Sequence, residues 1–188
     1  YWDMMPQVNS FADYEGVMAF TDDLGNDLNR VRGLLTAFGL EKKIKIAYDE
    51  WNLKGWYHPY LMDVMNRENK RHEDEEFYDY IIGQRNNNDV NSIYTMEDAV
   101  FSGCFLNMCL KNCDIVQMAC FSPVVNTRGA IFTHKDGIVL RPQYFVFKLY
   151  ANLMKQTVLN IWQEKVPTYT GMRDGVEETV DLVDVAVT

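Results

Sequence analysis

The chain has 188 residues, of which 47% are hydrophobic and 13% aromatic, and this apolar content is that of a globular protein. Its formal net charge of −9 argues against a nucleic-acid partner, because proteins that bind nucleic acids carry clustered lysine and arginine. No apolar run reaches the roughly 18 residues of a membrane span, so we expect no membrane insertion.

The first predicted elements are a helix, a strand and a long polar connection. Over residues 14–38, apolar side chains recur every three or four positions, which predicts one helix that ends near Gly39. Apolar and β-compatible residues predict a buried strand over 43–49. The polar stretch 51–94 that follows has a length typical of a lid, a binding loop or a disordered segment.

A second helix, a second strand and a hairpin are predicted next. Thr95 and Asp98 have the spacing of a capping box at the start of a helix over 96–112. β-branched and apolar residues predict a strand over 115–121. Residues 130–140 have the pattern of a hairpin around a Lys-Asp-Gly turn.

The last part of the chain changes character after a third helix. Pro142 stands at a first helical position and predicts a helix with Phe145, Leu149 and Leu153 on one face. After residue 157 the pattern becomes one of short β segments, which are predicted at 158–162, 166–169 and 179–187. This change predicts a domain boundary, with one domain over 1–156 and the start of another over 157–188.

The order of elements predicts an α/β fold with parallel strands, because helices separate the strands. Two parallel strands alone would leave hydrophobic edges that natural proteins avoid. We therefore expect this chain to be a fragment of a larger protein. Its partner would be the rest of that protein (the rest of the barrel, if the resemblance described below holds), a complementary chain or further copies of itself.

The four cysteines, Cys104, Cys109, Cys113 and Cys120, do not form a metal-binding pattern. Cys109 and Cys113 lie four residues apart on or near the predicted helix, but no histidine or second cysteine pair supplies further ligands. Buried free thiols are the expected state. We expect neither a metal nor a cofactor, and both a cytoplasmic and a secreted location stay open.

Two adjacent acids follow the first predicted strand directly, in the run Asp49-Glu50-Trp51-Asn52. Catalytic groups of α/β barrels stand at this end of a strand. Carboxylates beside an aromatic ring suit glycoside chemistry, in which one carboxylate attacks the anomeric carbon. Asp49 is expected to face away from Glu50 and to pair structurally, because neighbouring strand residues alternate. An ordinary strand end with solvated or paired acids fits the same spacing.

Four motifs, in order over nearly the whole chain, resemble the C-terminal third of the α-L-arabinofuranosidases of glycoside hydrolase family 51. They are Asp49-Glu50-Trp51-Asn52, Tyr94-Thr95-Met96-Glu97-Asp98-Ala99, Asp114-Ile115-Val116-Gln117-Met118-Ala119 and Val125-Asn126-Thr127-Arg128-Gly129. The resemblance implies that 1–156 is the C-terminal portion of a (β/α)8 barrel, with strands seven and eight at 43–49 and 115–121. It also implies that 157–188 is the beginning of a β-sandwich.

The resemblance further implies that Glu50 is the nucleophile of a retaining enzyme that releases arabinose from arabinan or arabinoxylan. The family's acid/base glutamate lies in an Asn-Glu pair, and no such pair occurs here. Trp56, Tyr1 and Asn126 match substrate-binding positions, whereas Pro123 stands where many members have a sugar-contacting glutamine. Trp56 is also compatible with an aromatic packed on the barrel rim. The alternatives are another retaining barrel glycosidase (a β-xylosidase or an endoglucanase) and a non-catalytic structural or sugar-binding module.

Overall fold

A computed structural model describes residues 16–19, 21–53, 91–173 and 175–188 of the chain. Residues 16–19 are helical, and a short 3-10 helix covers Asn91–Ile93. The longer elements in chain order are α1 (Thr21–Ala37), β1 (Ile46–Trp51), α2 (Met96–Lys111), β2 (Val116–Phe121), β3 (Ile131–His134), β4 (Gly137–Leu140), α3 (Pro142–Leu153), β5 (Thr168–Arg173) and β6 (Val176–Asp181). The described residues thus form a small α/β unit followed by a β hairpin.

Strands β1 and β2 pair in parallel, as the alternation of helices and strands predicts. β1 begins later than predicted because the N–H groups of Lys43 and Ile44 both donate to the carbonyl of Leu40 and close a turn there. The strand also continues to Trp51, so that Glu50 lies inside the strand rather than after it. The C-terminal ends of both strands therefore meet at one edge of the sheet.

The core lies between the sheet and the helices and is rich in aromatic rings. Trp51 is 3% exposed and stacks on the fully buried Phe105 of α2, with ring centroids 4.1 Å apart. Its ring also meets the edge of Phe121 at 5.1 Å and lies 5.7 Å from Phe147 of α3. One side chain of β1 therefore contacts the neighbouring strand and two helices.

The ends of the three helices confirm most of the signals predicted for them from the sequence. Gly39 ends the first helix with a positive φ of 64°, and its N–H donates to the carbonyl of Thr36. The carboxylate of Asp98 accepts a 2.8 Å hydrogen bond from the N–H of Thr95, which is half of the predicted capping box. Pro142 begins α3 as predicted. Among the described residues, no helix is both long and apolar enough to cross a membrane.

The face of α3 that is buried differs from the apolar face that the sequence pattern predicts. Phe145, Leu149 and Leu153 are each more than half exposed. Tyr144 and Phe147 instead pack against the core. The hydroxyl of Tyr150 lies within hydrogen-bond distance of two acceptors on α2, the carbonyl of Gly103 and the side-chain oxygen of Asn107. These inward contacts use larger aromatic groups and leave an apolar stripe of α3 facing outward.

β3 and β4 form the hairpin that was predicted at 130–140.

The predicted β segments after residue 157 were only partly right. The tail forms an antiparallel β5–β6 hairpin that the segments did not predict. The 158–162 segment was wrong as a strand and contributes only a bridge between Leu159 and Val187. The hairpin turn includes Gly175 at φ 80°, a conformation that glycine adopts without steric cost.

An ion pair holds α1 to the N-terminal ends of the strands. The guanidinium of Arg32 donates two hydrogen bonds to Asp114, which precedes β2, and a third to the side chain of Asn112. Lys45, which precedes β1, donates to the carbonyl of Asp114 at 2.8 Å. The hydrogen bond from Arg32 lowers the pKa of the Asp114 carboxyl and raises the pKa of Arg32.

This ion pair makes stability depend on pH in a defined direction. Because the folded pKa of Asp114 is lowered, its contribution is complete above the ordinary pKa of an aspartate and is lost as pH falls through the folded value. In the larger protein of which this chain is expected to be a part, Asp114→Asn should lower the melting temperature by about 2–4 °C at pH 7, since solvent screens the exposed pair. Thermal unfolding of both proteins across pH should show the difference vanish in acid.

The pair between Asp27 and Arg30 provides a matched control. It joins residues one turn apart on α1, and both side chains are largely exposed. Asp27→Asn should shift the melting temperature by about 1 °C or less at any pH. If the Asp114→Asn difference persisted in strong acid, the carboxylate charge would not be its source.

Candidate functional site

The two predicted acids lie at the C-terminal edge of the parallel sheet. Asp49 and Glu50 are both exposed, and within the described ranges neither carboxylate has a hydrogen-bond or ion-pair partner. The structural pairing expected for Asp49 is therefore not found among those residues. Two adjacent carboxylates are thus presented to solvent at the strand end where α/β enzymes place their catalytic groups.

A β-bulge in β1 sets the direction of these acids. Tyr48 pairs with Ala119 and Trp51 pairs with Phe121, so β1 uses three steps where β2 uses two. In a regular strand, residues three apart point to opposite faces. Here Tyr48 and Trp51 both reach Phe105, with ring centroids 5.2 and 4.1 Å away. The extra residue therefore lies at Asp49 and Glu50, and bulges of this kind re-aim side chains next to active sites.

The loop 122–130, which joins β2 to β3, lies beside the end of β1. It contains a cis peptide bond before Pro123, and its residues 126–128 have φ angles of 54°, 30° and 67°. The left-handed region is costly for residues other than glycine and persists only where the surroundings enforce it. A Cβ atom on Gly129 would lie 2.6 Å from the backbone of Val124, so only glycine fits there.

The buried side chain of Arg141 holds this loop by a hydrogen bond to its backbone. Its side chain is 1% exposed, and its Nη1 donates to the carbonyl of Gly129 at 2.8 Å while its Nε donates to Asn91 at 2.9 Å. The guanidinium also lies 4.1 Å from the ring centroid of Tyr94 and 5.3 Å from that of Phe132. Hydrogen bonds and aromatic faces of this kind offset the cost of burying a charge.

Asn52 holds the same loop from the side of β1. Its side-chain amide donates to the carbonyl of Ser122 at 3.3 Å and to that of Arg128 at 3.0 Å. The backbone N–H of Ser122 donates to the carbonyl of Trp51 at 3.1 Å. The residues just after Glu50 are therefore tied to both ends of the loop.

Of the four predicted site residues, two lie within the described ranges. Glu50 occupies the bulge, and Asn126 lies in the loop with its side-chain oxygen accepting from the N–H and the hydroxyl of Thr133, at 2.7 and 3.1 Å. Tyr1 and Trp56 lie outside the described residues. Asn126 therefore shapes the loop, and its contact with a sugar stays a prediction, as do the roles of Tyr1 and Trp56.

Sequence reasoning missed Asn52 and Arg141. Asn52 belongs to the motif that drew attention to Glu50, but an amide beside a tryptophan carries no signal of what it bonds. Arg141 precedes the helix-starting Pro142, and nothing in the pattern marks an arginine as buried. Both roles depend on carbonyl groups distant in sequence.

The four cysteines differ in their exposure to solvent. All four are free, but only Cys109 is buried, and Cys113 and Cys120 are exposed, so the expectation of buried thiols was wrong for these two. Burial raises the pKa of the Cys109 thiol to about 12, which keeps it protonated. Burial likewise raises the pKa of the Tyr150 hydroxyl to about 12. Within the described part of the chain, no cluster of His, Cys, Asp and Glu has the arrangement of a metal site.

Known proteins similar to this chain support one family. The model of the α-L-arabinofuranosidase C-terminal domain matches residues 49–187. Two curated relatives are named intracellular exo-α-(1→5)-L-arabinofuranosidases. The one from Acetivibrio thermocellus is 28% identical over 164 residues, covering 81% of this chain and 29% of that protein. The one from Halalkalibacterium halodurans is 28% identical over 129 residues, covering 69% of this chain and 23% of that protein.

Solved structures agree with the fold. A family 51 α-L-arabinofuranosidase from Bifidobacterium longum superposes with a TM-score of 0.68 at 20% identity, over 98% of this chain and 35% of that chain. An α-L-arabinofuranosidase from Thermotoga maritima, solved with arabinose, gives a TM-score of 0.60 at 24% identity, over 91% and 31%. This chain spans about a third or less of the proteins that it matches. It belongs to the α-L-arabinofuranosidase C-terminal domain family and corresponds to the C-terminal part of a glycoside hydrolase family 51 enzyme.

Proposed function

We propose that this chain supplies the nucleophile, Glu50, to a retaining α-L-arabinofuranosidase that acts on arabinose-containing oligo- or polysaccharides. β1 and β2 would be the last two strands of its (β/α)8 barrel, and the β5–β6 hairpin would belong to the following β-sandwich. The names of the curated relatives support this activity. The general acid/base would come from a part of the enzyme outside this sequence.

The observation that carries the proposal is the position of Glu50 in the bulge of β1. Trp51, the next residue, is buried against Phe105 on the helix side of the strand. The Glu50 carboxylate is instead exposed at the C-terminal edge of the sheet. A nucleophile must reach the anomeric carbon of a bound sugar, and an exposed carboxylate at this edge meets that requirement.

The reaction needs two carboxylates with opposite starting states. Ionised Glu50 would form a bond to C1 of the arabinofuranosyl group while the glycosidic oxygen leaves and takes a proton from the acid/base. Water would then attack C1, give its proton to the same acid/base, and release Glu50 as a carboxylate. The two carboxyl groups of a retaining pair stand about 5 Å apart on either side of the glycosidic bond. Asp49, in the same bulge as Glu50, does not offer the opposite side.

Replacement of Glu50 tests the proposal directly. The test uses the complete enzyme, which contains this sequence and the general acid/base. There, Glu50→Gln should lower kcat on an aryl arabinofuranoside by several orders of magnitude, because the amide is a poor nucleophile. The melting temperature should change little, since the side chains are nearly isosteric and Glu50 is exposed. Steady-state kinetics and thermal unfolding measure the two effects.

Asp49→Asn is the matched control, because it neutralises the neighbouring carboxylate in the same bulge. It should retain most of the activity. In Glu50→Ala, azide should restore turnover and give an arabinosyl azide of inverted configuration. Unchanged activity of Glu50→Gln would contradict the assignment, whereas a retained azide product would make Glu50 the acid/base. Faster turnover of an aryl xyloside than of the arabinofuranoside would favour the β-xylosidase alternative.

The chain by itself should be inactive. It contains no Asn-Glu pair, and the described residues leave an apolar stripe of α3 uncovered. We expect this 188-residue chain to show no turnover of aryl arabinofuranosides and to be poorly folded or associated. Kinetics and sedimentation of the isolated chain, with the complete enzyme as control, measure this. A compact, active monomer would contradict the barrel assignment. It would also contradict the proposal that this chain supplies the nucleophile without the acid/base.

The remaining substrate contacts are proposed for Trp56, Tyr1 and Asn126. The side-chain nitrogen of Asn126 is the part that we propose for sugar contact, because the oxygen is bonded to Thr133. Trp56→Ala should lower kcat/KM on arabinosides about tenfold or more, since a ring stacked on the sugar is lost. The melting temperature should change little. A loss of stability with unchanged kcat/KM would instead support an aromatic packed on the rim.

A further inference from the structure

We infer that Asn52 is a positioning residue for Glu50: it fixes the end of β1 beyond the bulge by bonding the loop 122–130. This inference rests on the proposed function of Glu50. It assigns to Asn52 no contact with the substrate. The side chain acts through the backbone that carries the nucleophile.

The first step of the argument is what Asn52 bonds. Its amide group donates to two carbonyls, those of Ser122 and Arg128, which lie at the two ends of the loop. A third bond runs from the N–H of Ser122 to the carbonyl of Trp51. Both neighbours of the bulge on its C-terminal side, Trp51 and Asn52, are therefore tied to the loop 122–130.

The second step is that the loop is itself a fixed support. Arg141, almost fully buried, holds the carbonyl of Gly129 from the other side. Gly129 fits against Val124 without room for a Cβ atom. Asn126 closes the turn through Thr133. A loop held at these points does not follow small movements of β1, so bonds to it restrain the strand.

The third step is why the strand needs this restraint. The bulge interrupts the regular ladder between Tyr48 and Trp51, which leaves Glu50 without the evenly spaced bonds of a parallel strand. The stack of Trp51 on Phe105 sets which face of the strand is buried. The two bonds from Asn52 supply that restraint, two residues after the nucleophile.

A double-mutant cycle with azide tests this role. In the complete enzyme, Asn52→Ala and the isosteric Asn52→Asp each remove both donated bonds. We expect kcat/KM on an aryl arabinofuranoside to fall about 100-fold, because displacement of a reacting group by about 1 Å has an effect of this size. In the Glu50→Ala variant rescued by azide, the nucleophile is the azide ion, which is not attached to β1. The same Asn52 substitutions should then change the rescued rate by no more than about threefold.

Asn107→Ala is the control for stability, because Asn107 also donates from its side chain to a backbone carbonyl, that of Asp184. Since Asn107 also contacts the hydroxyl of Tyr150, its replacement sets an upper bound for the loss of two such bonds. The Asn52 variants should lower the melting temperature no more than Asn107→Ala does, and Asn107→Ala should keep the activity of the parent. Unchanged kcat/KM in both Asn52 variants would overturn the inference. So would an undiminished loss in the azide-rescued background, or a loss of folding larger than that of Asn107→Ala. Retained activity of Glu50→Ala without azide would refute the proposed function instead.

Discussion

The contact between Trp51 and Phe105 is the one on which the arrangement of the strand end depends. The two rings are nearly parallel, with an interplanar angle of 18°, and both are removed from solvent. Stacked aromatic pairs add attraction to the large apolar area that they bury. Through Phe121 and Phe147 the same indole also contacts β2 and α3. The residue next to the proposed nucleophile therefore holds the end of β1 against a strand and two helices, and Glu50 is left on the solvent side.

The bulge follows from this anchoring. Tyr48 and Trp51 can both reach Phe105 only if the strand gains one residue between them, since three regular steps would place them on opposite faces. The strand absorbs that residue at Asp49 and Glu50. Packing on the buried side thus determines an irregularity on the exposed side. The irregularity interrupts the ladder at the proposed nucleophile, and the hydrogen bonds of Asn52 to the loop 122–130 lie directly beyond it.

The two ends of the sheet are stabilised in different ways. At the N-terminal end, the ion pair of Arg32 with Asp114 satisfies its charges directly, and the lowered pKa of Asp114 reflects this. At the C-terminal end, the carboxylates of Asp49 and Glu50 have no partner among the described residues, and support comes from the loop held by buried Arg141. At this end, neighbouring groups rather than the two acids hold the backbone.

The sequence by itself determined the local elements and the identity of the acids. Periodicity, the capping pair at Thr95 and Asp98, Gly39 and Pro142 predict helix ends, because these signals act within a few residues. The motif around Glu50 likewise indicated glycoside chemistry. Only the tertiary structure decided which face of α3 is buried, that Glu50 lies within a bulge, and that Asn52 and Arg141 hold the loop 122–130. Those features depend on rings and carbonyl groups brought together from distant parts of the chain, and no local pattern encodes such contacts.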